Sequence, residues 1–380
     1  MTIRHIVSCR GWSSDAYWAA RAVVELERTG HDVTLVCKKS SPVRVVRGAK
    51  EAGIERLETL HLASGVSPMR DALDLRQLVA WLPETRVFHV HRGKEHWLAA
   101  LANRMSSPRT ALVRTRHIVQ PIRPHALNRW LYRSATDLVV TVTGAIRRQL
   151  LAGGLSSDDR VVALPGGVDA ERYRPDARPA QGPDARSLLE VPPGVPLIGL
   201  VGGFRVMKGH EIVVAAAARL AAAGLPFRLV FIGQGPFAER VRGLVQAAGL
   251  ADRVGLLGFA DNLPDMMAAL DVALYSALES DGMSRVLWEY MASAVPVVAT
   301  RVGVAPEVLE DGVTGLLVPA GEPVPLAAAI ERLLRDPPLR TRLGAAGADL
   351  VRERFSGARL AERLTELYRS LAVSSARPAP

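Results

Sequence analysis

Apolar and polar residues recur along the chain in two periods, one typical of buried strands and one typical of helices. An apolar run from Ile3 to Cys9 precedes a polar loop, a helix-period stretch from about Ala16 to Thr29, and a second apolar run from His31 to Cys37. Gly30 is placed to end the helix. This strand, helix, strand unit predicts a parallel, doubly wound sheet whose ligand-binding loops follow the carboxyl ends of the strands.

The same alternation occurs twice, on either side of a proline-rich stretch between residues 165 and 196. We therefore predict an α/β protein with two Rossmann-like, doubly wound parallel-sheet domains facing a cleft. The predicted parts are an N-terminal domain over 1–165, a linker and lead-in over 166–196, a C-terminal domain over 197–355, and a terminal helix and tail over 356–380. The terminal helix is expected to pack back on the N-terminal domain.

The stretch from Ser276 to Thr300 has the layout of a ligand site. A polar loop with Asp281 and Gly282 precedes a predicted helix from about Met283 to Ser293, which carries Glu289. Unpaired N–H groups at a helix start favour an anion. At 1.5 Å per residue, Glu289 would lie roughly 10 Å beyond Gly282, which suits a ligand about as long as a nucleotide sugar. The alternative is a helix cap at Asp281 and an exposed Glu289.

Two glycine-rich loops in the C-terminal half are further candidate ligand contacts. Gly202 and Gly203 allow close approach of the backbone, and Arg205 and Lys208 place cations just before a predicted helix. Phosphate recognition needs such donors and positive charge. The alternative is a glycine-rich turn with surface cations. A second turn of this kind, which by itself is a weak signal, follows the next strand at 233–236.

Together these segments resemble the retaining family-4 glycosyltransferases of GT-B fold, also called glycosyltransferases group 1. The resemblance covers most of residues 197–372: the segment 201–209 looks like that family's glycine loop, 231–236 like its next motif, 281–289 like its paired-carboxylate motif, and 295–319 is close throughout. The N-terminal half is similar more loosely. The segments 114–117 and 281–286 resemble bacterial envelope-glycan members, which suggests lipopolysaccharide-type synthesis.

The resemblance implies roles for residues on the donor side. Glu289 would hold the ribose of a donor nucleotide, and Asp281 would contact the transferred sugar. Arg205 and Lys208 would neutralise the leaving diphosphate. Backbone groups of the turn after Asp281 and three close-approach glycines would complete the donor site: Gly282, Met283, Ser284, Gly203, Gly233 and Gly258.

On the other side, His117 matches the family's active-site histidine, which faces the sugar, and Gly11 lies in the first loop, near phosphate and acceptor. Two positions depart from the family. Asp281 is one methylene shorter than the usual Glu, which puts the sugar contact in question. Trp12 stands where many members have a second glycine, which puts the acceptor side in question.

Positive charge is concentrated in the N-terminal half. Residues 1–165 contain 25 Lys and Arg against 14 Asp and Glu, in a chain of net charge +10. This excess predicts an anionic partner such as a glycan or lipid-linked acceptor. A predicted helix from about Pro124 to Ser134 carries Leu127 and Trp130 among arginines, and could lie on an anionic membrane or pack into the domain. A merely solvated basic face is the alternative to all of these.

The sequence therefore predicts a retaining glycosyltransferase that uses a UDP-, GDP- or ADP-sugar and moves a hexose, N-acetylhexosamine or heptose. No cofactor, metal or nucleic-acid partner is expected. Cys9 and Cys37 lie in predicted strands, which suggests a reducing compartment, and we expect a cytoplasmic protein at the inner face of a membrane. The alternatives are a nucleotide-sugar epimerase or hydrolase, and a non-catalytic partner subunit of the same fold.

Overall fold

The computed structural model describes residues 1–9, 11–41, 43–107, 109–177, 184–258, 260, 262–280 and 282–374, except the side chains of Arg44 and of residues 372–374. The chain forms two compact units. The first contains Met1–Gly167 together with the C-terminal segment from Gly357, and the second contains Val168–Ser356. Each unit is built on its own parallel sheet.

Parallel strands form the centre of the first unit. In chain order they are β1 (Thr2–Val7), β2 (Asp32–Lys38), β3 (Leu57–Leu60), β4 (Val87–Val90), β5 (Ala111–Arg116), β6 (Leu138–Thr141) and β7 (Val161–Ala163). The helices are α1 (Ser14–Arg28), α2 (Val43–Glu51), α3 (Pro68–Trp81), α4 (Gly93–Met105), α5 (Ala126–Arg129), α6 (Gly144–Ala152) and, from the C-terminus, α15 (Gly357–Ser374). In the described residues the strand order is β3-β2-β1-β4-β5-β6-β7.

The second unit repeats this plan. Its strands are β8 (Leu197–Val201), β9 (Arg228–Ile232), β10 (Val254–Leu257), β11 (Val272–Tyr275), β12 (Val297–Thr300) and β13 (Leu316–Val318), in the order β10-β9-β8-β11-β12-β13. Its helices are α7 (Ala185–Leu188), α8 (His210–Ala222), α9 (Ala238–Ala247), α10 (Leu263–Ala268), α11 (Val286–Ala292), α12 (Ala305–Val308), α13 (Pro323–Arg335) and α14 (Pro337–Leu350). The strand order reverses at β1/β4 in the first unit and at β8/β11 in the second, where open α/β sheets bind ligands.

The predicted fold class is confirmed. Burial of the strands explains why the hydrophobic pattern of the sequence predicted it. Every residue of β4, β6, β11 and β12 is buried. Strands that are buried on both faces of a parallel sheet read as continuous apolar runs, which differ sharply from the 3.6-residue period of the helices between them.

The predicted return of the terminal helix to the first unit is also confirmed. The Tyr368 hydroxyl of α15 lies 2.5 Å from Nδ1 of His89 on β4, and Thr365 lies 3.0 Å from Nε2 of His31. At the start of α15, a Cβ on Gly357 would lie 2.6 Å from Oε1 of Glu25 on α1. The helix can approach α1 this closely because residue 357 has no side chain.

The predicted helix from Pro124 to Ser134 differs from the structure. Helix α5 begins at Ala126, where the ring of His125 accepts a hydrogen bond from Asn128 N at 3.3 Å, and the chain continues as a π-helical turn over Trp130–Ala135. None of the helices in the described residues combines the length and hydropathy that a membrane-spanning helix needs.

Candidate active site

In the second unit, the loop after β8 is locked to the loop after β9. The N–H of Phe204 donates to the carbonyl of Gln234 at 3.1 Å. A Cβ on Gly233 would overlap the carbonyl oxygen of Gly202, and a Cβ on Gly235 would overlap that of Phe204. Glycine is therefore required at both positions, and the two loops form one packed layer at the carboxyl edge of the sheet.

The loop after β8 is held on its other side by the end of β11. Gly209 has a left-handed φ of +70°, and a Cβ there would overlap the carbonyl oxygen of Ser276. The Ser276 hydroxyl donates to the carbonyl of Lys208 at 2.8 Å, and the N–H of Leu278 donates to that of Met207 at 2.8 Å. The backbone that carries Lys208 is thus fixed between two neighbouring strands.

The predicted cations lie on this fixed segment, where Arg205 is exposed and Lys208 is half-buried. A Cβ on Gly203 would lie 3.3 Å from the carbonyl oxygen of Gln234 and 3.8 Å from Nε of Arg205. A Cβ on Gly258, after β10, would lie 3.8 Å from Nε2 of Gln234. The structure therefore brings Gly203, Gly258 and Arg205 around Gln234, whose side chain the sequence reading missed although it stands between two required glycines.

Glu289 lies on α11 and is only 1% exposed. Its Oε1 lies 3.3 Å from Nε of Arg285 but makes no hydrogen bond within the part of the chain that the structure describes. The next residue fixes the helix, because the Tyr290 hydroxyl accepts a hydrogen bond from the N–H of Val201 at the end of β8, at 2.6 Å. A buried carboxylate oxygen without a hydrogen bond therefore lies on a helix anchored to the central strand of the unit.

Burial raises the pKa of Glu289 above its ordinary value, while the charge of Arg285, a hydrogen bond from Tyr173 and the charge of Arg172 act in the opposite direction. The sequence alone did not indicate Arg172 and Tyr173, because they lie within the proline-rich stretch and belong to no periodic element. The alternative of an exposed Glu289 is wrong.

The turn before α11 corrects one predicted element. Asp281 lies outside the described residues, but its neighbours are described. The helix begins at Val286 rather than at Met283, so Gly282, Met283 and Ser284 belong to a turn and the helical rise from Gly282 to Glu289 does not apply.

Local contacts explain the late helix start. Gly282 has a left-handed φ of +103° and donates its N–H to the Ser280 hydroxyl at 3.2 Å. A Cβ on Gly303 would lie 3.0 Å from that hydroxyl, so a loop from the next strand presses on the turn. Met283 and Ser284 are buried there. The turn is held by its neighbours and ends where α11 begins.

In the first unit, His117 follows β5 and is buried. Its Nε2 lies 3.0 Å from Nδ1 of His91, and its Nδ1 has no hydrogen-bond partner among the described residues. Burial lowers the pKa of His117 to about 3; Asp15 opposes this shift, and neighbouring arginines, among them Arg92, add to it. A neutral imidazole with one unpaired nitrogen therefore lies at the carboxyl edge of this sheet.

Asp15, at the start of α1, is a neighbour of His117 that the sequence reading did not assign to the site. Burial acts to raise the pKa of Asp15, but a hydrogen bond from Arg92 at 2.6 Å, the charge of Arg92 and a hydrogen bond from Ser13 hold it below its ordinary value. Gly11 lies in the same loop and accepts a hydrogen bond from Ser13 N at 2.8 Å. A Cβ on Gly11 would meet nothing within 4 Å, so packing does not require glycine there.

Taken by unit, the predicted donor-side residues lie along the carboxyl edge of the second sheet, and His117 and Gly11 follow strands of the first. In the described residues, no group of three or more His, Cys, Asp or Glu side chains is placed to hold a metal ion.

Two family models match the chain. The model described as "Glycosyl transferases group 1" matches residues 184–349, and the one described as "Glycosyltransferase Family 4" matches residues 17–172. The alpha-maltose-1-phosphate synthase of Mycolicibacterium smegmatis is 32% identical over 320 residues, which cover 75% of this chain and 79% of that protein. The D-inositol 3-phosphate glycosyltransferase of Nocardia farcinica is 29% identical over 389 residues, covering 92% and 83%.

The alpha-D-kanosaminyltransferase of Streptomyces kanamyceticus is 33% identical over 207 residues, and the match covers 54% of this chain and 51% of that protein. Among solved structures, a glycosyltransferase from Rickettsia africae superposes with a TM-score of 0.84 at 19% identity, covering 98% of both chains. The Anabaena protein HepE in complex with UDP and glucose superposes with a TM-score of 0.81 at 19% identity, covering 97% and 100%. At such identities these structures support the shared fold alone.

Proposed function

The chain belongs to glycosyltransferase family 4 and has the GT-B fold, and on that premise we propose that it transfers a sugar, with retention of anomeric configuration, from a nucleotide donor to an anionic glycan or lipid-linked acceptor. The observation that carries this proposal is the carboxyl edge of the second sheet. There the loops after β8, β9 and β11 are joined by backbone hydrogen bonds around Arg205 and Lys208. Glu289 adds a buried carboxylate oxygen without a hydrogen bond on a helix tied to β8.

Each of these groups suits one part of a nucleotide sugar. Arg205 and Lys208 would bind the diphosphate and stabilise the negative charge that gathers on it as the glycosidic bond breaks. Glu289 would accept hydrogen bonds from the ribose hydroxyls, since an ionised carboxylate is an acceptor only. Gly203, Gly233 and Gly258 would let the backbone approach the nucleotide.

The transferred sugar would be held by Asp281, by backbone groups of Gly282, Met283 and Ser284, and by His117. Gly11 would lie near the phosphate and acceptor. The transfer would pass through an oxocarbenium-like state, and we propose attack on the face that the diphosphate leaves, with the diphosphate accepting the proton of the acceptor hydroxyl.

We propose a UDP-, GDP- or ADP-sugar as donor and an anionic acceptor in envelope-glycan synthesis. The HepE structure contains UDP, and the names of two relatives include phosphorylated compounds, inositol 3-phosphate and maltose 1-phosphate. The basic charge of residues 1–165 favours a negatively charged acceptor as well.

A surface of the first unit suits contact with an anionic membrane. Trp97 on α4 stacks on Trp130 at 5.8 Å, and exposed apolar side chains continue from this pair along α4 and α5. Leu131 and Tyr132 of the same turn are buried, so packing into the unit occupies the opposite side. We call this surface the Trp97 patch; its apolar members are Trp97, Leu101, Met105, Leu127 and Trp130, and the exposed arginines on the same segments are Arg104, Arg129 and Arg133.

The test of the donor site is nucleotide binding by calorimetry to the full chain, with UDP, GDP and ADP as ligands. We expect one diphosphate to bind, and Arg205→Ala and Lys208→Ala each to weaken it by about 10-fold to 100-fold, because a hydrogen bond to a charged group contributes about 1.5–3 kcal/mol. Arg335→Ala is the control, since Arg335 is an exposed arginine of the same unit paired with Glu331 at 2.8 Å.

Unchanged binding in the Arg205→Ala, Lys208→Ala double variant would refute the phosphate assignment. Incubation of the matching nucleotide sugars with and without glycan acceptors then separates transfer from epimerisation or hydrolysis. Sugar release that is lost in Glu289→Ala would also exclude a non-catalytic partner subunit. The configuration of the transferred sugar, read by NMR, tests retention.

A further inference from the structure

Buried histidines of the first unit form a continuous line of contacts that begins at His117. Nε2 of His117 lies 3.0 Å from Nδ1 of His91, and Nε2 of His91 lies 3.1 Å from Nδ1 of His5. All three side chains are at most 8% exposed. Each of these contacts joins two imidazole nitrogens, so one nitrogen in each pair must carry the hydrogen.

The line continues to the C-terminal helix and returns to the sheet. Nε2 of His5 lies 3.3 Å from the Tyr368 hydroxyl, which lies 2.5 Å from Nδ1 of His89. Nε2 of His89 contacts the hydroxyl of Thr115. We call this line the histidine row; its members in order are His117, His91, His5, Tyr368, His89 and Thr115.

Strand register places the rings together. His5 on β1 is the register partner of His89 on β4, and the two-residue period of a strand puts His89 and His91 on the same face. The ring of Trp18, from α1, packs edge-on against His89 at 5.5 Å and against His117 at 5.8 Å. Water is therefore kept from the row by an aromatic side chain.

The imidazoles of the row are neutral. Burial lowers the pKa of His5, His89, His91 and His117, and the buried cation of Arg114 disfavours protonation of the last three. A neutral imidazole has one N–H donor and one acceptor nitrogen, and a hydroxyl oxygen can accept two hydrogen bonds. Three arrangements therefore satisfy every contact: all hydrogens point toward His117, all point toward Thr115, or the Tyr368 oxygen accepts from both His5 and His89.

The number of unpaired groups distinguishes them. The Thr115 hydroxyl is fully buried, and in the described residues its contact with His89 is its only hydrogen bond. If all hydrogens point toward His117, Thr115 donates to His89, and the one unpaired group is an N–H on Nδ1 of His117. In the other two arrangements the Nδ1 lone pair of His117 is unpaired together with the hydrogen of Thr115 or of Tyr368, so a second buried polar group is left without a partner.

We propose that the histidine row holds His117 as the tautomer protonated on Nδ1, so that His117 presents a hydrogen-bond donor to an oxygen of its ligand and does not serve as a general base. Tyr368 and Thr115 are positioning residues, because they act on the ligand only through the row. That the ligand is the transferred sugar rests on the proposed function. The direction of the row rests on the contacts within the first unit.

Long-range proton–nitrogen NMR of the full chain, labelled with ¹⁵N in its histidine rings, tests the tautomer directly. We expect the His117 signals, assigned by their loss in His117→Gln, to show a protonated Nδ1 and an unprotonated Nε2. In Thr115→Val the direction toward His117 and its reverse each leave two polar groups unpaired, so both signals should shift toward each other as the tautomers mix. Thr115→Ser, which keeps a hydroxyl, should restore the wild-type positions.

The matched control is Tyr290→Phe, which removes a buried hydroxyl from the second unit and should leave the His117 signals unchanged. A wild-type His117 protonated on Nε2 or on both nitrogens would overturn the proposal, as would unchanged signals in Thr115→Val.

Activity tests the second step separately. The amide nitrogen of Asn lies near the position of Nδ1 and that of Gln near Nε2, so His117→Asn should retain more sugar transfer than His117→Gln. If the NMR result is as expected but both variants transfer sugar at the wild-type rate, then His117 has no role in the proposed function. The tautomer assignment of the histidine row would remain valid in that case.

Discussion

Burial of the Glu289 carboxylate is unfavourable in the ligand-free protein. Hydrogen bonds to a ribose would offset this cost when the nucleotide binds. Because burial raises the pKa of Glu289, the folded protein favours its protonated form more than the unfolded chain does. Its contribution to stability is therefore present below the ordinary pKa of the side chain and is lost as the pH rises through the raised value. At neutral pH Glu289 is a source of instability in the ligand-free protein.

Glu289→Gln should thus leave the free energy of unfolding at pH 7 unchanged or slightly higher, measured by denaturant titration. The same variant should weaken binding of the preferred nucleoside diphosphate by about 10-fold or more, since an acceptor bond to an ionised group contributes roughly 1.5–3 kcal/mol. Wild-type affinity should also fall, relative to that of the variant, as the pH drops through the raised pKa. Equal affinities at every pH would remove Glu289 from the site.

Glu289 itself could be predicted from its spacing to a glycine turn and an adjacent strand, but its partners could not. Arg172 and Tyr173 act on it from a segment more than 100 positions earlier, where proline and turns leave no periodic pattern. A functional residue can be predicted from sequence when its type is unusual for the helix or strand that carries it. The neighbouring groups that shift its pKa can be identified only in the folded structure.

Among the elements, the loop after β8 depends on glycine in a way that can be measured. Gly209 and Gly224 have nearly the same backbone, with φ of +70° and +73°. A Cβ on Gly209 would overlap the Ser276 carbonyl, whereas a Cβ on Gly224 would meet nothing within 4 Å. Gly224→Ala should therefore cost about 1 kcal/mol for the left-handed backbone alone, and Gly209→Ala about 1–3 kcal/mol more.

Denaturant unfolding of the two variants checks this difference, and nucleotide binding checks its consequence. The loop that Gly209 ends carries Arg205 and Lys208, so Gly209→Ala should also weaken binding, while Gly224→Ala should not. Equal losses of stability would mean that the loop after β8 can move away from β11 without cost.

Helix α11 shows where prediction of an element fails. Its apolar residues identify the helix, but its start depends on Gly282, Ser280 and the approach of Gly303 from another loop. The histidine row is similar: the pattern His89, Val90, His91 predicts two rings on one face, yet only strand register brings His5 beside them. Contacts between elements, not propensity within one, determine both features.

The Trp97 patch yields a prediction for the surface elements of the first unit. Leu127→Gln and Met105→Gln should each lower partitioning onto vesicles of phosphatidylglycerol and phosphatidylcholine by about 10-fold, because burying such a side chain contributes roughly 1.5–3 kcal/mol. Leu188→Gln, at an exposed leucine of the second unit, is the control. Binding should weaken at high salt, and equal binding to neutral vesicles would contradict the role of the arginines.

At the scale of the whole molecule, the two parallel sheets are the part of the structure that the sequence predicts best. Alternation of buried strands such as Val297–Thr300 with amphipathic helices such as α13 leaves few other arrangements. The return of α15 to the first unit is less visible in the sequence, because an amphipathic last helix does not by itself indicate which core it covers.

Each unit has its own core, which predicts that core damage stays local. Leu364 on α15 and Leu343 on α14 are both fully buried leucines, one in each unit. Either change to alanine should cost about 2–5 kcal/mol.

Hydrogen exchange should show Leu364→Ala lowering protection in α1 and α15, whereas Leu343→Ala should lower it in α11, α13 and α14. Because the nucleotide is proposed to bind the second unit, the diphosphate should restore protection in Leu343→Ala more than in Leu364→Ala. Equal loss of protection in both units from either variant would mean that the chain unfolds as one cooperative body.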